Sequence, residues 1–163
     1  MTGEPLVVIG IGQDGSEGLN REAHAHLAGA RILAGGKRHL AFFPNFRGEK
    51  IILEGDTSTW MEKLKRRDRL QKTVVLATGD PLFYGIGRLL LEHFPKEELL
   101  FLPHVSSVAQ AFAKLKETWN DACVVSLHGR PMENLRVALK QRPPKMALSV
   151  SYTHLTLPTN REV

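Results

Sequence analysis

The chain has 163 residues, 42% of them hydrophobic and 24% charged, with a formal net charge of +5. This is ordinary globular composition, enough for one good core or one domain plus part of another, and no apolar run reaches the ~20 residues of a membrane span. The N-terminal MTGEPL lacks a charged-then-apolar leader pattern, so a soluble cytoplasmic protein is expected; a single cysteine, Cys123, in the apolar run ACVVSL, excludes an internal disulfide and a cysteine zinc site and reads as a buried strand residue.

In chain order, short β-rich runs alternate with helical patterns. LVVIG is followed by a helix around Ser16 to Leu27 and then by RILAGG; KIIL is followed by a helix from about Thr57 and then by TVVLATG. PLFYGIGRLLLEHF reads as a helix whose start Asp80 can cap, ELLFLP as a strand, and SSVAQAFAKLK as a helix capped by Ser106 or Ser107. The alternation predicts an α/β domain with a largely parallel sheet over residues 1–120. ACVVSL, MENLRVALKQ and KMALSV then open a second α/β unit over 121–150, too small for a core of its own and expected to be truncated. SYTHLTLPTNREV, 151–163, breaks the pattern and resembles translated adapter read-through; it is expected to be a non-native tail.

The positive charge concentrates in KLKRRDRLQK, Lys63 to Lys72, with no aromatic interleaved for base stacking. A solvated helix face is the expectation, and neither nucleic acid nor a membrane is an expected partner.

Two glycine turns carry the functional signal. VVIGIGQDGSEG holds Gly10, Gly12 and Gly15 in the spacing G-x-G-x-x-G, a dinucleotide fingerprint in letter. The next strand ends at Ala34, Gly35 and Gly36, where an NAD site needs an acidic residue; Lys37 and Arg38 in place of it leave an NADP-dependent reductase as an alternative. The second turn, TGDPLFYGIG, also follows a strand, and PHVSSV follows a third. In an open α/β sheet, three loops at the strands' carboxyl ends edge a ligand pocket.

GIGQDG, GGKRHL, GDPLFYGIG, VSSVAQAFAKL and VVSLHGRP occur here in an order and spacing that resemble the tetrapyrrole methylase family, over about Leu6 to Gln141, and within it the carbon-5 precorrin methylating subgroup of cobalamin biosynthesis. The family usually has proline where this chain has Gln13. The resemblance implies a two-domain, homodimeric methyltransferase that binds S-adenosylmethionine in a cleft and methylates carbon 5 of a precorrin or cobalt-precorrin. By motif position it implies cofactor contacts at Gly79, Asp80, Phe83, Ser106 and Ser107, with Gln13 in addition. The macrocycle's carboxylates would meet Lys37, Arg38 and Arg130, since guanidinium–carboxylate pairing fixes orientation as well as charge. His39, His104 and His128 stand in the right loops for a base, with none singled out. A chain with an incomplete second domain also leaves open a non-enzymatic binding module.

Overall fold

The computed structural model describes residues 3–127 and 130–150; the expected tail, 151–163, and His128 lie outside them. Contacts divide the chain into two compact units with the line between Ser107 and Val108, ahead of the boundary after residue 120 read from the sequence.

The first unit is a five-stranded sheet in the order β3-β2-β4-β1-β5, every pairing parallel. Its strands are β1 (Leu6–Ile11), β2 (Ile32–Gly35), β3 (Glu49–Ile52), β4 (Thr73–Thr78) and β5 (Leu99–Leu102), and its helices are α1 (Arg21–Ala28), α2 (Lys37–Ala41), α3 (Thr57–Lys65) and α4 (Gly87–His93). β1 and β4 lie side by side in the middle and are apolar on both faces, as a strand covered on both sides must be. Leu6, Val8, Val75 and Ala77 face α3 and α4 through Trp60, Met61, Leu64 and Leu90. Val7, Ile9, Ile11, Val74 and Leu76 face α1 and α2 through Ala23, Leu27 and Leu40. Each wholly buried Leu, Ile or Val contributes about 1.5–3 kcal/mol, so the central pair anchors the unit.

This order has a functional consequence. From β1 the chain moves toward β2 and β3, whereas from β3 it returns to β4 and then to β5. Crossovers of one hand put helices on opposite faces when the direction reverses, and the two apolar clusters divide the helices in that way. The carboxyl ends of β1 and β4 therefore flank a topological switch point, the place where ligands bind in open α/β sheets.

Two helices are shorter than the sequence suggests. The segment read as a helix from Ser16 is a 3-10 turn at Gly15–Gly18, and α1 begins only at Arg21. Leu19 and Asn20 are extended, and the Asn20 side chain accepts the Ala23 N–H at 2.8 Å, capping the true start. Likewise PLFYGIG is not helical. Gly87 N–H donates to the Pro81 carbonyl at 2.8 Å, and Tyr84 adopts φ 55°; a left-handed residue closes a loop there and cannot continue a helix. In KLKRRDRLQK, Lys63, Lys65 and Arg66 are exposed as expected, but Arg67 is buried. Its guanidinium lies 5.2 Å from the centre of the Phe94 ring and donates to the Leu64 carbonyl, recovering part of the desolvation cost.

Among the described residues of the second unit, β6 (Ala122–Ser126) and β7 (Lys145–Ser149) pair in parallel, and the helices are α5 (Ser107–Leu115) and α6 (Glu133–Lys140). Val125, Leu127 and Ala138 form a small core on which Cys123, Leu135, Met146 and Val150 pack. Cys123 is thus a strand residue in contact with apolar neighbours, as its sequence context suggests, but it is half-buried and not buried.

Candidate functional site

The loops after β1, β4 and β5 meet at the switch point. Gly79 N–H donates to the Ile11 carbonyl at 3.0 Å, and the Gly79 carbonyl accepts His104 N–H at 3.2 Å. Both bonds extend the sheet past its strands, and they need glycine in β1. A Cβ on Gly10 would lie 1.9 Å from the Gly79 oxygen and 2.5 Å from the His104 nitrogen; one on Gly12 would lie 2.8 Å from His104 Cε1. Gly79 itself has φ 60° and sits against Ser106 and Val105. The space beside these glycines is therefore filled by the protein itself, by the β4 and β5 loops at Gly10 and Gly12 and by the Phe42 ring at Gly15, and α1 starts well after them. A pyrophosphate cradle needs both an open backbone and a helix N-terminus at that point; this loop offers neither, and the dinucleotide reading is set aside.

Asp80 leads the second loop. Its Oδ1 accepts the Leu82 N–H at 2.9 Å, and Phe83 N–H donates to its carbonyl at 3.1 Å. The carboxylate therefore caps a tight turn, not the helix expected from sequence, because Pro81 and the glycines hold the chain in a loop until Gly87. Oδ2 is not engaged by this turn. Asp80 and Phe83 are half-buried, and the Phe83 ring meets Tyr84 edge-on at 5.0 Å. Ser106 directly precedes α5 and Ser107 opens it; Gln13 is exposed in the first loop. The structure thus gathers Gln13, Gly79, Asp80, Phe83, Ser106 and Ser107 onto the loops at one edge of one sheet.

The charge on this edge is one-sided. Loop residues 12–18, 79–86 and 103–107 include Asp14, Glu17 and Asp80 and not one lysine or arginine. Such an edge favours a cation and disfavours a phosphate-bearing ligand.

Basic residues stand after β2, the neighbour of β4 on the far side from β1. Lys37 Nζ pairs with Glu54 at 2.9 Å while Lys37 N–H donates to the same carboxylate at 3.1 Å, and those hydrogen bonds hold Glu54 below the usual carboxylate range. Sequence alone does not pair these residues, since Glu54 follows β3 and only the β2–β3 register brings it near. Arg38 is exposed next to it. His39 Nε2 lies 2.9 Å from Thr78 Oγ1 at the end of β4. Its Nδ1 is buried without a partner, and burial, followed by the Arg38 charge, lowers its pKa. Thr78 carries no sequence signal that marks it; a threonine ending a strand is common. Arg130 is exposed in the second unit, after β6.

A wholly parallel sheet with a loop-lined, acidic edge at its switch point defines a ligand-binding α/β domain. The chain belongs to the tetrapyrrole (corrin/porphyrin) methylases, whose family profile matches residues 5–152. It is 42% identical over 125 residues to the cobalt-precorrin-7 C(5)-methyltransferase of Salmonella typhimurium, covering 77% of this chain and 62% of that protein. It is 37% identical over 137 residues to the decarboxylating precorrin-6Y C(5,15)-methyltransferase of a Sinorhizobium species, covering 80% of this chain and 32% of that one. The chain thus spans less than two thirds of either relative. Among solved structures, the cobalamin biosynthesis precorrin-6Y methylase of Archaeoglobus fulgidus aligns with a TM-score of 0.64 at 25% identity, covering 76% of this chain and 64% of that one. The Thermus thermophilus uroporphyrin-III C-methyltransferase complexed with S-adenosylhomocysteine aligns with a TM-score of 0.60 at 23% identity, covering 78% and 62%; at that identity it supports the fold.

Proposed function

We propose that the protein methylates carbon 5 of a precorrin or cobalt-precorrin ring with S-adenosylmethionine as donor. One observation carries the donor assignment: the loops expected to touch the cofactor meet at a switch-point edge that bears three carboxylates and no cation. A sulfonium donor is cationic, has an ammonium and a ribose diol, and carries no phosphate, so a half-buried carboxylate such as Asp80 and a phosphate-averse edge suit it. The position of methylation rests on the relatives, whose names specify carbon 5.

When bound, the donor supplies an electrophilic methyl on sulfur. The chain's own part is to hold that methyl in line with the ring carbon and to exclude water, which is where most of the rate in such a displacement arises. In this reading Asp80 accepts from the donor through the oxygen its turn leaves over, Phe83 gives it an apolar wall, and Gly79, Ser106, Ser107 and Gln13 shape its edge. Arg38 is the cation for ring carboxylates on the β2 side, Lys37 being already paired with Glu54; Arg130 is the corresponding residue of the second unit. The protein works as a homodimer.

Thermal unfolding tests the donor assignment. S-adenosylhomocysteine should raise the Tm of the full-length protein by mass action, and NADPH should leave it unchanged. Stabilisation by NADPH alone would return the reductase reading.

A further inference from the structure

We infer that Thr78 and His39 form the acceptor for the proton that the methylated ring carbon must lose. This rests on the carbon-methylation reading above. In that reaction the ring carbon's electron pair forms the new C–C bond, the S–CH3 bond breaks, and its electron pair stays on sulfur. The carbon then carries both the methyl and its original hydrogen, in a ring system that has gained a positive charge. Conjugation returns when that hydrogen leaves as a proton and its bonding pair re-enters the ring. No oxidant or reductant takes part, and one proton must be accepted in each turnover.

The geometry selects this pair. Thr78 is exposed and is the last residue of β4, directly before Gly79 and Asp80, so its hydroxyl stands on the edge where the donor is read to bind. Behind it His39 Nε2 is in hydrogen-bond reach at 2.9 Å, and Nδ1 is closed off from solvent with no partner. An imidazole in that position is linked to the crevice through the threonine hydroxyl. The proton passes from carbon to Thr78 Oγ1 while the hydroxyl proton passes to Nε2, and it leaves later to water.

The neighbouring charges suit a transient acceptor. Arg38 on its own helix opposes a lasting positive charge on His39, the Lys37–Glu54 pair is internally balanced, and β4 contributes only the neutral Thr78. His39 is therefore neutral when the proton arrives and does not retain it. A weak base suffices, because a C–H bond next to a cationic conjugated system is itself acidic.

Three other groups on this edge have structural tasks of their own. The backbone of His104 holds Gly79 and its ring covers Gly12; its Nδ1 is buried without a partner like that of His39, and what sets His39 apart is the Thr78 hydroxyl at its Nε2. Asp80 caps its turn. The Asp14 carboxylate is folded against Gly18, at whose Cβ position an oxygen already lies 2.0 Å away.

The test uses the full-length protein, labelled S-adenosylmethionine, and a precorrin substrate deuterated at the methylated carbon. Thr78→Val should keep S-adenosylhomocysteine affinity, which also reports that it is folded, while kcat falls by about a hundredfold and a primary isotope effect appears. Thr78→Ser should restore turnover, and His39→Gln should behave as Thr78→Val does. Independently of turnover, 15N NMR of the ligand-free protein at pH 7 should show His39 neutral with its proton on Nδ1, leaving Nε2 to accept. Near wild-type kcat in Thr78→Val, or a proton on Nε2 in the spectrum, would overturn the inference and leave the methyltransferase reading intact. Absence of methyl transfer by the unaltered protein would overturn both.

Discussion

Gly10 shows how much one missing side chain can decide. With a hydrogen at this position, the Gly79 carbonyl and the His104 amide come together across β1, and the loops that follow β4 and β5 are locked to the sheet. Gly10→Ala places a methyl 1.9 Å from that carbonyl oxygen, and neither neighbour is a flexible side chain that could swing away. Destabilisation of about 3 kcal/mol or more is expected, read as a lower urea midpoint, together with loss of S-adenosylhomocysteine binding. Unchanged stability would mean that the loops are not joined there. Asp80 separates turn-making from charge in a different way. Asp80→Asn retains an oxygen for the Leu82 N–H but no negative charge. The expected result is an unchanged Tm and at least tenfold weaker cofactor binding by calorimetry, about 1.4 kcal/mol. Wild-type affinity in this variant would reduce Asp80 to its turn.

At the scale of elements, the sheet is held by apolar strands while the helix starts depend on single polar caps. Asp56 accepts from the Thr59 N–H at 3.1 Å, from the Thr59 hydroxyl at 2.8 Å and from the Ser58 hydroxyl, and so fixes the start of α3. The Ser58 and then the Thr59 hydrogen bonds hold its carboxyl down to about 2, from 3.8. A carboxyl lowered in the folded state stabilises above its unfolded pKa and loses that contribution as the pH falls through its folded one. The stability gap between the wild type and Asp56→Ala should thus be full above pH 3.8 and close as the pH falls toward 2. Urea titrations across that range check it, and a gap that persists at pH 2 would assign the cap to some other group. His39 also lowers stability on acidification, but as a penalty that appears and not as a contribution that is lost. Its lowered pKa costs nothing above the ordinary imidazole value and destabilises as the pH falls below it.

For the molecule as a whole, the two units differ in how deeply they are built. In the first, β1 and β4 are flanked by strands and covered on both faces; in the second, two strands share a core of Val125, Leu127 and Ala138. Amide exchange should be slowest in β1 and β4, faster in the edge strand β3, and fastest among strands in β6 and β7, because opening free energy follows buried apolar contact. Equal protection of β6 and β1 would contradict that ranking.

Much of this architecture could be read from the sequence, and the reason is periodicity. Runs such as LVVIG and TVVLATG are apolar on both faces and alternate with helical patterns, which requires a covered parallel sheet whatever the order of its strands. The glycine turns mark themselves by composition, and the family is legible in the spacing of GDPLFYGIG, VSSVAQAFAKL and their companions. Only the tertiary structure decided what the first glycines are for. Their purpose depends on atoms far along the chain, the Gly79 carbonyl and the His104 amide, which reach Gly10 because β1 sits between β4 and β5. The same holds for Lys37 with Glu54 and for His39 with Thr78, pairs set by the adjacency of β2 to β3 and to β4. Local pattern fixes which segments form strands and turns, because those forces act between neighbours in sequence. Strand order brings distant side chains together, and it follows from burying both faces of one sheet at once.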